Sequence, residues 1–388
     1  MNPPTPPHKN LEPVPQSRLP ATLPVIQTTT PIPPQTLVTT AAEARLPTVI
    51  ADRCVHSHIS DASCRACADA CPLDAWVIDD ERLGIDINAC DGCGLCVPAC
   101  PENAITCDHA LADTGVRSWK GHTALFRACE RTDLDAADCR IPCLHSIGTR
   151  ELLHQYRCGM ATWIITNADC DACLRGRGQR LSESVQKTNT LLQSRSLEPI
   201  ALVALEPAQW QKILKQSTPC QSGPVSTRRN FFRDALRTAI NTTRDAAALA
   251  GDEPANSTPP TASLPETGPD DLFLATPNID PTRCNGCDAC VRLCPHQAIR
   301  LKTTDSEPCY QIKAQYCTGC GICRDACDQN AIHIAALALR PQAVALAQGH
   351  CPACNIRYHL PTGQLRPDGL CTICARTRHG RQLYQVLR

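Results

Sequence analysis

Bulky aromatic side chains are nearly missing from this chain: Phe, Tyr and Trp together make up 3% of its 388 residues. Such side chains dominate the cores of ordinary domains, so a single large enzyme domain around one large core is excluded. Long hydrophobic runs are also missing. No stretch approaches the roughly 20 apolar residues that span a bilayer, and Met1–Pro34 is rich in Pro and Thr, without the apolar region of an export signal. Net charge is absent too, since 38 basic residues balance 38 acidic ones. What the chain has instead is 29 cysteines and 33 prolines. Several small modules, each tied together through its cysteines, fit that balance.

Cysteine spacing separates disulfides from metal ligands. Disulfide frameworks rarely repeat one short spacing, whereas C-x-x-C recurs here from Cys64 to Cys374. That spacing suits a shared metal or iron–sulfur cluster, which several thiolates must surround at once. The expected compartment is therefore reducing, most simply the cytoplasm.

Composition divides the chain into six parts. Residues 1–48 read as a disordered Pro/Thr tail and 49–112 as a cysteine-dense module. Residues 115–208 read as an α/β domain with cysteines, and 209–281 as an amphipathic helix with a flexible Pro/Ser/Thr/Asp linker. A second cysteine-dense module follows at 282–340, then a cysteine-bearing tail at 346–388. The dense modules repeat one another. Four cysteines are followed by Pro72-Leu73-Asp74-Ala75-Trp76, Pro101-Glu102-Asn103-Ala104-Ile105, Pro295-His296-Gln297-Ala298-Ile299 and Asp328-Gln329-Asn330-Ala331-Ile332. Each copy is a turn, a fixed Ala and an apolar residue able to open a strand, so four half-modules form two pseudo-symmetric domains.

In the second module, Cys284, Cys287, Cys290 and Cys294-Pro295 read C-x2-C-x2-C-x3-C-P; Cys317, Cys320, Cys323 and Cys327 repeat the spacing, with Asp328 replacing the proline. This resembles the bacterial two-cluster ferredoxin family, in which the fourth cysteine of each run ligates the other run's cluster. The resemblance implies one [4Fe–4S] cubane on Cys284, Cys287, Cys290 and Cys327, and another on Cys317, Cys320, Cys323 and Cys294. Gly286, Gly319 and Gly321 let the backbone close around a cluster. A zinc-binding module is the bland alternative.

The first module is similar but irregular. Cys90, Cys93, Cys96 and Cys100-Pro101 are regular, with Gly92 and Gly94 in the matching places. The other half reads Cys54, nine residues, then Cys64, Cys67 and Cys71-Pro72, and Asp61 stands where the family has its first cysteine. By the same exchange, one cubane falls to Cys90, Cys93, Cys96 and Cys71, the other to Cys64, Cys67, Cys100 and a fourth ligand. Cys54 on an inserted loop is favoured as that ligand because thiolate is the softer one; Asp61, or a three-iron cluster, remain the alternatives. Cys107 and Cys309 fall outside the spacing and read as small buried hydrophobes.

Between the modules, Thr123–Arg127, Arg140–Ile141, Ala161–Thr166 and Ile200–Leu205 suggest strands, and Thr149–Arg157 and Leu181–Arg195 suggest helices. This alternation implies a small parallel sheet with helices on its faces. Cys129, Cys143 and the pair Cys170 and Cys173 each fall just past a strand, on the sheet edge where sites normally lie, and can together hold a [2Fe–2S] cluster. Cys139-Arg140-Ile141-Pro142-Cys143, a helix, Trp163-Ile164-Ile165-Thr166 and Cys170-Asp171-Ala172-Cys173 resemble the iron–sulfur delta subunit that links hydrogenase to heterodisulfide reductase, a family with a two-iron cluster. Asn167 stands where that family commonly has another cysteine. Cys139 and Cys158 are reserve ligands, and Cys220 reads as structural. A cofactor-free spacer is the competing reading.

In the tail, Cys351-x2-Cys354, sixteen residues, then Cys371-x2-Cys374 gives a four-thiolate site with zinc-ribbon spacing; a rubredoxin-type iron would use the same ligands. Ser226–Arg233 resembles a twin-arginine export signal but is internal and followed by polar sequence. It reads instead as the start of a basic amphipathic helix, Arg228–Leu249, burying Phe231, Phe232, Leu236 and Ile240.

The expected architecture is α+β and multidomain: two ferredoxin-like dicluster modules flanking a small α/β parallel-sheet domain, with a zinc-ribbon-like tail. The expected cofactors are four [4Fe–4S] clusters, a [2Fe–2S] cluster and one zinc. Six such sites, at about −2 each, bring the loaded protein to roughly −12, which disfavours nucleic acid. The expected function is single-electron relay to or from a larger oxidoreductase, with no catalytic residues of its own. Candidate partners are a flavoprotein, a hydrogenase or a molybdenum-type oxidoreductase. The alternatives are a redox-enzyme subunit whose middle domain acts on a disulfide or flavin, and a metal-binding assembly scaffold.

Overall fold

The computed structural model describes residues 46–78, 83–107, 114–132, 134–136, 139–175, 180–220, 258–303 and 308–377, all within one unit, Thr40–Arg388. Nearly all of the expected Pro/Thr tail and the whole Arg228–Leu249 segment lie outside the described residues.

In the first cysteine-dense module, β1 (Thr48–Val49) precedes α1 (Ala66–Ala70), the hairpin β2 (Trp76–Ile78) and β3 (Leu83–Ile85), then α2 (Cys96–Ala99) and β4 (Ile105–Thr106). β1 and β4 pair antiparallel, as do β2 and β3. The core is minimal: Trp76, Ile105, Cys67 and Cys96 are its buried members.

The middle domain is a mixed six-stranded sheet. It holds β5 (Val116–Trp119), β6 (His122–Cys129), β7 (Arg140–Ile141), β8 (Thr162–Thr166), β9 (Ala201–Ala204) and β10 (Thr218–Pro219), in the order β10-β5-β6-β8-β9 with β7 beside β6. β6, β7, β8 and β9 pair parallel, whereas β5 and β10 pair antiparallel at one edge. Helices α3 (Thr149–Arg157), α4 (Arg180–Gln193) and α5 (Pro207–Gln216) cover it. Alternation decides the faces. Leu125, Trp163 and Ile165 pack with Leu152, Leu153, Val185 and Leu192 on one side. Ala124, Phe126, Ala128 and Ile164 pack with Trp210 and Leu214 on the other. Trp210 also donates its indole N–H to the Ile164 carbonyl at 3.0 Å.

The second module begins earlier than composition suggested. β11 (Leu272–Ile279) lies inside the expected flexible linker and pairs antiparallel with β14 (Ile332–Leu339) along its length. The reason is period-2 burial. Phe273 and Ile279 enter the core of the second module, while Leu272 and Leu274 pack against the middle domain's core. Between them come α6 (Ala289–Leu293), β12 (Ile299–Lys302), β13 (Cys309–Ile312) and α7 (Ile322–Asp325). The tail, with β15 (Val344–His350), β16 (Arg357–Pro361) and α8 (Thr372–Thr377), does not stand apart: β15 pairs with β13, so one sheet runs β12-β13-β15-β16.

Candidate metal centres

One local device occurs four times. After Cys71, Cys100, Cys294 and Cys327 the chain turns through a residue in the left-handed region: Asp74 (φ 49°), Asn103 (φ 51°), Gln297 (φ 51°) and Asn330 (φ 47°). That turn aims the next N–H back at the cysteine. Ala75, Ala104, Ala298 and Ala331 donate to the Sγ of Cys71, Cys100, Cys294 and Cys327 at 3.4, 3.3, 3.2 and 3.3 Å. Each alanine is buried, which explains the fixed small residue. An N–H held on sulfur stabilises a thiolate, the form that binds iron.

In the second module, Cys284, Cys287, Cys290 and Cys327 line one pocket. Cys294, Cys317, Cys320 and Cys323 line another. Each pocket thus gathers three cysteines of one run and the last cysteine of the other. Burial pushes the thiols of Cys290, Cys317 and Cys323 up to about 12, so a cation entering must displace their protons. Gly286 needs its glycine: at φ 68° a Cβ would stand 2.2 Å from the His359 carbonyl oxygen. Asp288, in the place of Gly321, is also left-handed (φ 62°); its carboxylate is held by Tyr310 Oη at 2.7 Å and His359 Nε2 at 2.9 Å.

The first module repeats the pattern on its regular side, where Cys71, Cys90, Cys93 and Cys96 line a pocket. Cys107, read from sequence as a bystander, hydrogen-bonds the Cys96 thiol, which that contact and burial push well up. On the irregular side Cys54 is buried between two short 3-10 turns, Ala51–Arg53 and Val55–Ser57. Burial, and then Cys64, raise its pKa, and Cys100 feels both Cys64 and Cys54. The loop from Cys54 to Cys64 is tied by His56 Nε2 to the Cys64 carbonyl at 2.8 Å. Asp61 is exposed.

In the middle domain, Cys129, Cys143, Cys170 and Cys173 line one pocket at the carboxyl edge of β6, β7 and β8. Cys139 packs instead with Phe126 and Trp210 on the opposite face, and Cys158 is exposed at the end of α3. Asn167 also lines the pocket and donates Nδ2–H to Cys170 Sγ at 3.3 Å. His145 was not foreseen. Burial, with Arg180, lowers its pKa, and its Nδ1 accepts the Leu181 N–H at 3.3 Å. The ring proton therefore sits on Nε2, which is buried in this pocket without a hydrogen-bond partner among the described residues. A sulfide-bearing group in this pocket would supply the acceptor that such a donor lacks.

Arg175 was likewise not foreseen. Its side chain is 7% exposed, and it joins this pocket to the first module. It donates to the Asp91 carboxylate, to the Asp91 carbonyl at 3.2 Å, to Glu130 Oε1 at 2.6 Å and to the Pro142 carbonyl at 2.9 Å. Beside it Cys93, Leu95 and Cys143 pack together.

In the tail, the ligand atoms of Cys351, Cys354, Cys371 and Cys374 all lie within 4.8 Å of one another. Cys354 and Cys371 are 3.8 Å apart, the edge of a tetrahedron of radius about 2.3 Å, the zinc–thiolate distance. The Cys371 N–H donates to Cys351 Sγ at 3.3 Å, and with further backbone N–H groups draws that thiol down to about 6.

Comparison with known proteins agrees with the two repeats. Residues 283–331 and residues 62–105 each match a model described as a 4Fe-4S dicluster domain. A ferredoxin of Rickettsia felis is 39% identical over 57 residues, which cover 15% of this chain and 48% of that protein. The ferredoxin-type protein NapF of Haemophilus influenzae is 44% identical over 48 residues, covering 11% and 27%. Ferredoxin-1 of Caulobacter vibrioides is 33% identical over 60 residues, covering 16% and 49%. The chain thus spans half or less of the length of these relatives. It carries two 4Fe-4S dicluster domains of the ferredoxin type. No helix among the described residues is long and apolar enough to cross a membrane.

Proposed function

We propose that this protein relays single electrons to or from a larger oxidoreductase through four [4Fe–4S] clusters and a [2Fe–2S] cluster in the middle domain, with a structural zinc in the tail. The observation that carries the reading is the fourfold cysteine cradle, in which an αL residue turns a buried alanine N–H onto the sulfur. The ligand sets would be Cys54, Cys64, Cys67 and Cys100; Cys71, Cys90, Cys93 and Cys96; Cys294, Cys317, Cys320 and Cys323; and Cys284, Cys287, Cys290 and Cys327. Three of these sets each line one pocket, which supports the exchange of fourth ligands between runs.

Cys129, Cys143, Cys170 and Cys173 would hold the two-iron cluster. The lone Nε2–H of His145 and the Asn167 amide support a sulfide-bearing group there. Cys351, Cys354, Cys371 and Cys374 would hold zinc, supported by mutual distances that suit one ion rather than a cluster. The bound clusters would supply one-electron couples. The protein's own residues position them, donate hydrogen bonds to sulfur and keep water out. An acidic loaded protein in a reducing compartment suits redox-protein partners rather than nucleic acid.

The test is anaerobic reconstitution with iron, sulfide and zinc analysis. The expected content is roughly 18 irons, from 4 × 4 + 2, with one zinc. Eight or fewer irons in the reconstituted protein would sink the two-domain assignment, and zinc bound elsewhere than the tail would sink that part.

A further inference from the structure

The two dicluster domains meet through side chains that grow directly out of their cysteine loops. Glu102, two residues past Cys100, carries a side chain 5% exposed and lies 2.7 Å from His296 Nε2, itself two residues past Cys294. The same carboxylate accepts the Thr318 hydroxyl, next to Cys317, and reaches the Cys320 thiol. Burial alone would raise this carboxyl. The hydrogen bonds of His296 and Thr318 offset that cost. On the other flank Ser63, next to Cys64, donates its N–H and its hydroxyl to Asp325 Oδ2, both at 2.9 Å. Ser63 also accepts Arg324 Nη2 at 2.7 Å, and Arg324 follows Cys323. Arg150 of α3 faces Cys100 and Glu102 as well.

An exposed ion pair would say little. A carboxylate this deeply buried must be partnered, or it costs several kcal/mol, so this contact is built into the fold. Every one of these bonds joins a residue within two positions of Cys64 or Cys100 to Cys320 or to a residue within two positions of Cys294, Cys317 or Cys323. The middle pocket lies elsewhere: it touches the first domain beside Cys93, on the other cubane site of that domain.

We propose that Glu102 is a positioning residue that clamps the Cys294/Cys317/Cys320/Cys323 site onto the Cys54/Cys64/Cys67/Cys100 site, so that electrons cross between the two domains directly at this junction. One electron is lost by the reduced centre on one side and gained by the oxidised centre on the other, with no bond made or broken. The middle pocket then lies at one end of a line of sites, and the Cys284/Cys287/Cys290/Cys327 site at the other. This rests on the reading that each domain holds two cubanes.

The test keeps the full chain. Iron and sulfide analysis of the unmodified protein first establishes two cubanes per domain; a shortfall there defeats that reading and not the junction. A chain carrying Cys90→Ser, Cys93→Ser, Cys284→Ser and Cys287→Ser is then left with one cubane on each side. On full reduction with dithionite, those two should split each other's EPR signal. Adding Glu102→Arg sets a cation against His296 and Arg150. It should abolish the splitting and raise hydrogen exchange at residues 103–105 and 318–321, while Glu102→Gln, still able to hydrogen-bond Thr318, should retain both. Two magnetically isolated cubanes, or a splitting indifferent to Glu102→Arg, would overturn the proposal. If the stripped chain does not hold iron, Glu102→Arg and Ser63→Arg in the otherwise intact protein are read by exchange, and unchanged protection at those amides overturns it equally.

Discussion

Replacing Arg175 by methionine tests how the middle domain is fastened to the first dicluster domain. Methionine keeps the apolar length of the stem and removes only the guanidinium. Four acceptors lose their donor: the Asp91 carboxylate and carbonyl, Glu130 Oε1 and the Pro142 carbonyl. Removing one partner of a fully buried pair costs about 3–5 kcal/mol. Asp91 and Glu130 side chains are 28% and 20% exposed, so water recovers part of this, and about 2–4 kcal/mol is the expected loss. At ~1.4 kcal/mol per factor of ten, that is a roughly 30- to 700-fold larger opening constant at this interface.

The assay is native-state hydrogen exchange on the loaded protein. It reads the amides of Cys93, which donates to Asp91 Oδ1, and Ile147, which donates to the Leu144 carbonyl. The β12–β13 pairing, distant in the fold, should not change. A second arm separates mechanisms. If carboxylates left without the guanidinium are the cause, adding Asp91→Asn and Glu130→Gln to Arg175→Met should restore part of the protection, because amides are less costly to leave without a cation. An opening constant that rises less than tenfold, or a triple variant weaker than the single one, would refute the reasoning.

Three other outcomes follow from the same structure. Cys54→Ser should turn one cubane into a labile or three-iron form in low-temperature EPR while Asp61→Asn leaves it intact; the reverse pattern would transfer the ligand role to the exposed carboxylate. His145→Leu should leave the iron content of the middle domain unchanged and make the potential of its centre more negative, since an N–H donor to sulfur favours the reduced state; an unshifted potential would remove His145 from the site. Asp271 accepts the Thr267 N–H at 2.8 Å, the Thr267 hydroxyl at 2.6 Å and the Gly268 N–H at 3.3 Å. Burial opposes those hydrogen bonds but is outweighed, and the carboxyl is held low. Asp271→Ala should therefore cost about 1–3 kcal/mol near neutral pH. Because the folded-state pKa is depressed, the stabilisation is present above the unfolded value of about 3.9 and is lost as pH falls through the folded one, so the gap from wild type should close in acid; a gap that is constant with pH would assign the effect to packing.

What sequence could reveal depended on whether a residue's role is local. The C-x2-C-x2-C-x3-C runs and the alanine four residues after each fourth cysteine are local, because one tight turn sets both the N–H and the sulfur, and they were legible. The helix over Thr149–Arg157 was legible too, through its own periodicity. β11 was not: Leu272–Ile279 sits in a Pro- and Thr-rich stretch, and its two faces serve two different cores, so neither a single amphipathic period nor composition marks it. The antiparallel edge of the middle sheet was missed for a similar reason. β10 is a two-residue strand, too short for any pattern. Arg175, Glu102 and His145 act across gaps of 84, 194 and 36 residues, and nothing in their neighbours' spacing announces such partners.

The shortage of aromatics that opens the sequence reading reappears as the way the modules join. Modules with so few large apolar side chains have little left to spend on interfaces once Trp76, Trp163, Trp210, Phe126, Phe273 and Tyr310 are buried in their own cores. Buried arginines take that place. Arg175 fastens the middle domain to the first module. Arg195, 3% exposed, fastens α4 to the segment entering the second: it donates to the Pro265 carbonyl at 3.0 Å and the Leu272 carbonyl at 2.8 Å, with its guanidinium 5.2 Å from the Phe273 ring centre. Arg180, half-buried, does the same for α1, donating to the Ala70 carbonyl at 2.9 Å, one residue before Cys71. An apolar interface tolerates sliding, because dispersion and burial are non-directional. A guanidinium fork bound to several fixed oxygens does not. For the proposed line of redox sites, whose spacing would decide whether electrons pass, directional joints of this kind would hold the middle domain at a set distance from its neighbours even though the cores on either side are small.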